Sequence, residues 1–488
     1  MHSTDFFVLA VVTAGIALLA SSFHRRGRSS YDFLAAGRNV PGWLLGLSIF
    51  ATWTQPITYM GYPGNAFKGD WSIVVYTIPI PFIAWAAGRW AVPFFRRHKD
   101  ISAFVLLEER FGLATRRGMA KCYLLSQMLR TGVILFLLCM PISEMLGWNT
   151  CVSIVVVSAL TTAYTMLGGL RGAVWSEAMQ GLLIAVAIVV SIFILTGAMP
   201  NGVAGSFETA RDSGKLSIVR SYEGMGAASM YIIIMYSIVS TCGRLFFDQS
   251  HVQRYHAATS NRVARRSVML GAAAFVAATL LLMAIGTMLY CYYSEFSVML
   301  PNNIPHDYIF PFFAINQMPV GVCGLLVASL LASGMASFSS YLVSGASVIL
   351  NDLSPELAIS RDEKRRKEAI NRGCVLLSAG ATLTAILLTA ATQWTNFSWM
   401  LSILMFGGVI GAFLLAVLLK GMKQRVAAAA IASGLAVSLA TFVWELAVGI
   451  NTSLYVYLAT IGGVASTLLV GWLLKKAPHI TPSAHDNE

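Results

Sequence analysis

About thirteen runs of apolar residues, each long enough to cross a bilayer as a helix, follow one another along this chain. They are Phe6–Ser22, Trp43–Gly61, Trp71–Phe95, Cys122–Leu146, Thr150–Leu167, Ala173–Leu195, Ala227–Leu245, Val268–Tyr293, Gly321–Leu350, Cys374–Ala391, Phe397–Leu419, Val426–Val448 and Leu454–Leu474. Hydrocarbon offers no partner for a backbone amide, so runs of this length must satisfy their own hydrogen bonds as helices. The expected fold class is therefore an all-α polytopic membrane protein. With 57% hydrophobic and only 11% charged residues, a soluble domain is excluded.

The net charge of +12 could suggest nucleic acid, but its placement points to a membrane and to no nucleic-acid partner. No Lys or Arg precedes the first run, while Arg25, Arg26 and Arg28 follow it, the reverse of a cleavable signal. We read it as a retained span with its N-terminus outside. Alternating from there, 27 of the 34 Lys and Arg fall in inner segments and four (Lys68, Arg211, Lys215, Arg220) in outer ones. That asymmetry supports the count of spans and puts the C-terminus inside, as expected in a bacterial inner membrane. The seven cysteines are scattered, with no C-x-x-C pair, and read as packing residues.

One run differs from the rest. In Leu330–Leu353, residues Ser333, Ser337, Ser340, Ser344 and Ser347 recur at helical spacing, with Ala336 and Gly345 beside them. Such a stripe serves either close helix packing in lipid or ligation of a dehydrated cation such as Na⁺ by hard oxygens. A second run carries Thr52, Thr54, Gln55, Pro56 and Thr58 in its middle. Pro56 lacks an amide donor and should open the helix near Thr52, freeing carbonyls. Ala227–Leu245, with Ser237, Ser240, Thr241 and Gly243, is a weaker candidate for the same treatment. Discounting the first span, these are the first and sixth, the matching positions of two five-helix halves.

Ionisable groups within spans need a reason to be there. Arg130 is central in its span, so an anion-binding or internal ion-pair role is expected. Glu177 sits about one turn inside its own, either as part of a cation site or as an interfacial residue. Arg89 and Arg244 lie near predicted inner ends and read as snorkelling or paired, Arg244 by default with Asp248 at i,i+4. No metal-ligand cluster, nucleophile elbow or phosphate loop is present, so an enzyme is not expected.

Five stretches in order resemble the sodium/solute symporter family, which includes sodium/glucose, sodium/proline and sodium/sialic acid carriers. They are SSYDFLAAGRNVPGW, SIFATW followed by MGYPGNAF, MLGGLRGAVWSEAMQG, DQSHVQR, and LASGMASFSSYL followed by ILNDL. The resemblance implies a LeuT-type fold of two inverted five-helix repeats and about thirteen transmembrane helices. Residues 1–30 would hold an extra first helix and 31–424 the transport core. Residues 425–474 would hold two further helices and 475–488 a polar cytoplasmic tail.

It further implies alternating access driven by Na⁺ as coupling ion, with no organic cofactor and no metal beyond sodium. The main sodium site would take Ala51 and Thr54 from the first broken helix and Ser333, Ala336 and Ser337 from the eighth core helix. The family usually has Ser where Ala336 stands, so one hydroxyl is missing. A second sodium site of some members maps to Glu177, Ser339 and Ser340, with Glu in place of Asp. Arg130 matches the arginine that holds the substrate carboxylate in the sialic acid carriers, with Trp53, Gln55, Thr58, Tyr76 and Thr77 as neighbours. The expected activity is Na⁺-coupled uptake of a small carboxylate such as a sugar acid or sialic acid, by a monomer. A neutral sugar or amino-acid symporter, or a transporter-like sensor, remains the alternative.

Overall fold

The computed structural model describes residues 2–24, 29–98, 101–199, 202–218, 228–296, 300–301, 304–391, 407–419, 421–448 and 453–476. Part of the Phe397–Leu419 run, the residues Arg25, Arg26, Arg28, Lys99, Arg220 and Lys420, and the tail from 477 lie outside them. Apart from an isolated bridge between Val40 and Ala258, the regular structure described is helical. The helices used below are α1 (Ser3–Ser22), α2 (Gly42–Trp53), α3 (Pro56–Lys68), α4 (Ile80–Arg89), α5 (Leu113–Leu146), α6 (Thr150–Ala198), α7 (Ala228–Cys242), α8 (Gln249–Ala257), α9 (Asn261–Glu295), α10 (Val322–Val348) and α11 (Glu363–Ala390).

Ten helices among the described residues are long and apolar enough to span a bilayer, and shorter apolar helices cover Gly42–Trp53 and Gly407–Leu418. The 49-residue α6 joins two expected runs. At 1.5 Å per residue it would be over twice the ~30 Å of a hydrocarbon core if straight. It is not straight: Gly169, with φ 55° and ψ −158°, breaks it between the two runs.

Helix α10 occupies the centre. Some 89% of its most apolar stretch is buried, the largest share of any candidate span, against 11% for α1. It packs on α6, α5 and α11, and α2 packs on α6, α9 and α10. The α2–α6 approach depends on Gly181, where a Cβ would lie 2.8 Å from the Leu47 carbonyl and 3.3 Å from the Ala51 side chain. Both ends of α10 are tied down. At its start, the Asp5 carboxylate of α1 accepts from the amides of Gly321 (2.7 Å) and Gly324 (3.1 Å). Beyond its end, in the π-turn Ile349–Leu353, Asp352 accepts from Arg116 Nε at 2.7 Å, and Arg116 Nη2 donates to the Asn351 carbonyl at 2.8 Å.

Two expectations about the spans need correction. The Ala227–Leu245 run changes at Gly243, the last of its named residues, and not at Ser237, Ser240 or Thr241. Helix α7 continues through those residues and gives way to a π-turn at Gly243–Phe247. There is no proline to open it, and its hydroxyls bond outward, Ser237 Oγ to the Tyr76 carbonyl and Ser240 Oγ to the Tyr76 hydroxyl. The Trp71–Phe95 run opens as a 3₁₀ turn, Ser72–Thr77, before α4 begins.

Candidate functional site

Helix α2 ends at Trp53 because Pro56 has no amide to give the Thr52 carbonyl. Thr54 (φ −83°, ψ 70°) and Gln55 (φ −73°, ψ 165°) leave the helical region, and Pro56 restarts it at the first position of α3. The Ser337 hydroxyl of α10 lies 3.4 Å from that freed Thr52 carbonyl and equally far from the Ser333 carbonyl. Ala51, Thr54, Ser333 and Ala336 are buried, while Ser337 is half-buried and faces a cavity. Thr54 Oγ1 donates to the Phe50 carbonyl (3.0 Å) and Ser333 Oγ to the Leu330 carbonyl (2.7 Å), which turns oxygen lone pairs outward. The break and the serine stripe thus meet at Thr52–Ser337, with neutral oxygens from both helices and no carboxylate in that contact.

Deeper along the stripe lies a second cluster, built around a guanidinium. Arg254 of α8 donates through Nη2 to Glu177 Oε2 (2.7 Å) and Ser340 Oγ (3.1 Å). Its Nε reaches Ser48 Oγ (2.8 Å) and its Nη1 the Ser250 carbonyl (2.7 Å). Ser48 donates in turn to Glu177 Oε2, and Ser339 Oγ donates to Glu177 Oε1 at 3.1 Å. The Arg254 and Glu177 side chains are 2% and 1% exposed. Glu177, Ser339 and Ser340, expected to hold a second ion, are brought together, but around an arginine counted from the sequence as part of an inner charge cluster.

The cavity between these clusters is lined by Trp53, Gln55, Arg130, Arg244, Asp248 and His251, with Ser337, Ser340 and Ser344 on the α10 side. Arg130 Nη2 donates to Gln127 Oε1 (2.6 Å), and Gln127 Nε2 donates to Asp248 Oδ2 (3.2 Å). Asp248 caps α8, accepting from the Ser250 amide at 2.8 Å. Trp53 Nε1 donates to His251 Nε2 (2.9 Å), which makes that nitrogen an acceptor and leaves the proton on Nδ1, 3.7 Å from Asp248.

Of the expected solute residues, Arg130, Trp53 and Gln55 line the cavity. Thr58, Tyr76 and Thr77 are not among its walls. Tyr76 bonds to Ser240 (3.1 Å) and Thr77 to the Val74 carbonyl (2.7 Å). The 3₁₀ turn, with 3.0 rather than 3.6 residues per turn, rotates them away from where an α-helix would point them. Arg244 is not paired with Asp248: the π-turn carries its guanidinium over the Trp53 ring, 5.1 Å from the centroid. Ser344 lines the cavity, while Ser347 accepts from Gln249 and Asn351, each at 3.0 Å. Gln127 and His251 have no role in the sequence reading, and Asp248 enters it only as a partner for Arg244. Gln127 stands one turn before Arg130, and the other two lie in the quoted DQSHVQR, so position alone could have nominated them.

The model of the sodium:solute symporter family matches residues 33–437. The chain belongs to that family. This symporter is accordingly a transporter and not an enzyme, and an integral membrane protein. It is 28% identical to the sodium/sialic acid symporter SiaT of Proteus mirabilis, over 86% of each chain. It is 26% identical to the sodium/sialic acid symporter NanT of Aliivibrio fischeri, over 96% of this chain and 92% of that one. In structure it is similar to a Na⁺-coupled sialic acid symporter in a substrate-bound outward-open state, at a TM-score of 0.86, 24% identity and 97% coverage of both chains. A nucleobase-cation-symport-1 family transporter in a closed conformation matches at a TM-score of 0.52 and 14% identity.

Proposed function

We propose that this chain takes up a small carboxylate, of the sugar-acid class that includes sialic acid, by Na⁺-coupled symport with alternating access. The observation that carries the reading is Arg130, a guanidinium within a membrane span, facing a cavity that adjoins a broken helix. An Arg fork over a carboxylate gives two parallel charge-assisted bonds and offsets the cost of placing either charge there. Gln127 fixes the fork from one side, and Trp53 and Gln55 present an apolar face and a polar edge to the rest of the solute. The names of the relatives support the same class.

Sodium would sit where α2 opens against α10, held by carbonyls of Ala51 and Thr54 and by oxygens of Ser333, Ala336 and Ser337. Ala336 contributes only its carbonyl. In this reading the described spans are part of thirteen, ten of them forming two inverted five-helix repeats. The protein works as a monomer in a bacterial plasma membrane, N-terminus outside and C-terminus inside, with Na⁺ and no organic cofactor.

Asp248, at the edge of the cavity, could meet an amino group, so amino acids belong among the solutes tested. Proteoliposome uptake of N-acetylneuraminate, other sugar acids, amino acids and neutral sugars, with and without a Na⁺ gradient, is the direct test. Na⁺-dependent uptake of an acid but not of its neutral analogue is expected. Uptake indifferent to Na⁺ for every solute would reject the coupling.

A further inference from the structure

We propose that Arg254 is a built-in cation standing in for a second coupling ion, so that this symporter binds and moves a single Na⁺ per solute. The inference rests on the sodium-coupled reading above and specifies its stoichiometry. Glu177, Ser48, Ser339 and Ser340 form what could be an ion cage: one carboxylate and three hydroxyls, converging from three helices and buried, with Ser340 reaching the cavity wall. A free cation would need lone pairs aimed at the centre of that cage.

Here Arg254 already occupies the centre of the cage and takes up acceptor capacity on three of its four side chains. Both Glu177 oxygens accept hydrogen bonds, one from Ser339 and the other from Arg254 and Ser48. The oxygens of Ser48 and Ser340 accept from the same guanidinium. Arg254, Ser48 and Glu177 close a ring in which each donor meets the next acceptor. The carboxylate's charge is matched by a cation covalently part of the chain, and a Na⁺ added beside it would face an unscreened positive neighbour. Ala336, one turn before Ser340, offers a methyl group where the helix could have carried another oxygen. The charge balance that a mobile ion would supply is therefore permanent, and it does not travel with the solute.

The consequence is electrical as well as stoichiometric. One Na⁺ with a monocarboxylate moves no net charge per cycle, whereas two would move one positive charge inward. The test begins with radiolabelled Na⁺ alone, titrated onto the purified full-length protein. One ion per protein with a Hill coefficient near 1 is expected, and two ions with a coefficient approaching 2 would overturn the proposal. No Na⁺ binding would instead sink the coupling reading beneath it.

Arg254→Gln removes the internal cation and leaves Glu177 to recruit a replacement. It is expected to raise the bound Na⁺ from one to two, and adding Glu177→Gln returns it to one. A folded Arg254→Gln protein still binding one Na⁺ refutes the substitution, and if that variant does not fold, the wild-type count decides. In proteoliposomes, an inside-negative potential should change the rate of monocarboxylate uptake by less than about twofold. Acceleration of tenfold or more would mean that net charge moves and would overturn the single-ion claim.

Discussion

Replacing Arg130 with alanine isolates the contact on which the solute assignment depends. The guanidinium spends one N–H on Gln127 and presents the remaining edge to the cavity. A carboxylate bound there would accept two charge-assisted hydrogen bonds, each worth about 1.5 kcal/mol net of desolvation, or about 3 kcal/mol together. At about 1.4 kcal/mol per decade, Arg130→Ala should weaken solute affinity by roughly 150-fold. Arg130→Lys keeps the charge but loses the fork, and should weaken it by roughly tenfold. Trp53 lines the same cavity, so quenching of its fluorescence by N-acetylneuraminate gives a binding assay independent of transport. Running the same titration with the carboxamide of that sugar separates charge recognition from general fit. Wild type should prefer the acid strongly, and Arg130→Ala should not distinguish the two. An acid affinity within about threefold of wild type in the alanine variant, with an unchanged melting temperature, would show that the carboxylate binds elsewhere.

Ala336→Ser restores a hydroxyl beside the proposed sodium position and should lower the Na⁺ concentration for half-maximal uptake by about three- to tenfold. An unchanged Na⁺ dependence would move the site away from this stretch of α10. Gly181→Val places a branched side chain against the Leu47 carbonyl, where even a Cβ would come to 2.8 Å. Forcing α6 from α2 should cost about 1–3 kcal/mol, read as a fall in melting temperature, and should weaken Na⁺ binding because Ala51 lines the same contact. His256, outside the spanning segments, is pushed down to about 3 by burial, with Arg38 and Arg96 adding to the effect. A group held neutral in the fold contributes stability that is present above its unfolded value, near 6.5, and lost as pH falls from there toward 3. Melting curves between pH 7 and 5 should therefore show a loss of about 1.4 kcal/mol per unit below 6.5, which His256→Gln abolishes.

What could be read from the sequence was local in origin. Pro56 opens its own helix, the serines of α10 repeat at the helix's own period, and Gly169 breaks α6 through its own backbone. Each is visible within a few residues. The Arg254–Glu177 pair was not: both residues lie in quoted stretches, but they are 77 positions apart and nothing in either stretch names the other. Tyr76 and Thr77 stand off the cavity wall for a different reason. Which face of a span a side chain occupies depends on the helix type, and nothing near Ser72 in the sequence announces a 3₁₀ turn. Arg244 combined both difficulties: its π-turn changes the phase, and its partner ring, Trp53, comes from a distant helix.

The tie between Asp5 and α10 bears on how such a molecule can move. A carboxylate at the start of a helix satisfies amides that otherwise lack partners and opposes the positive end of the dipole, so it is not released at small cost. Helix α1 also lies along α6. Three helices far apart in sequence are thereby tied together, through a segment that is not among the cavity's walls. Any rocking that opens one side of the membrane and closes the other must carry α1 with α6 and α10, or break the Asp5 contact. A spin label on α1 and another on α10 should then hold a fixed distance through the cycle, while labels on α3 and α10 should not.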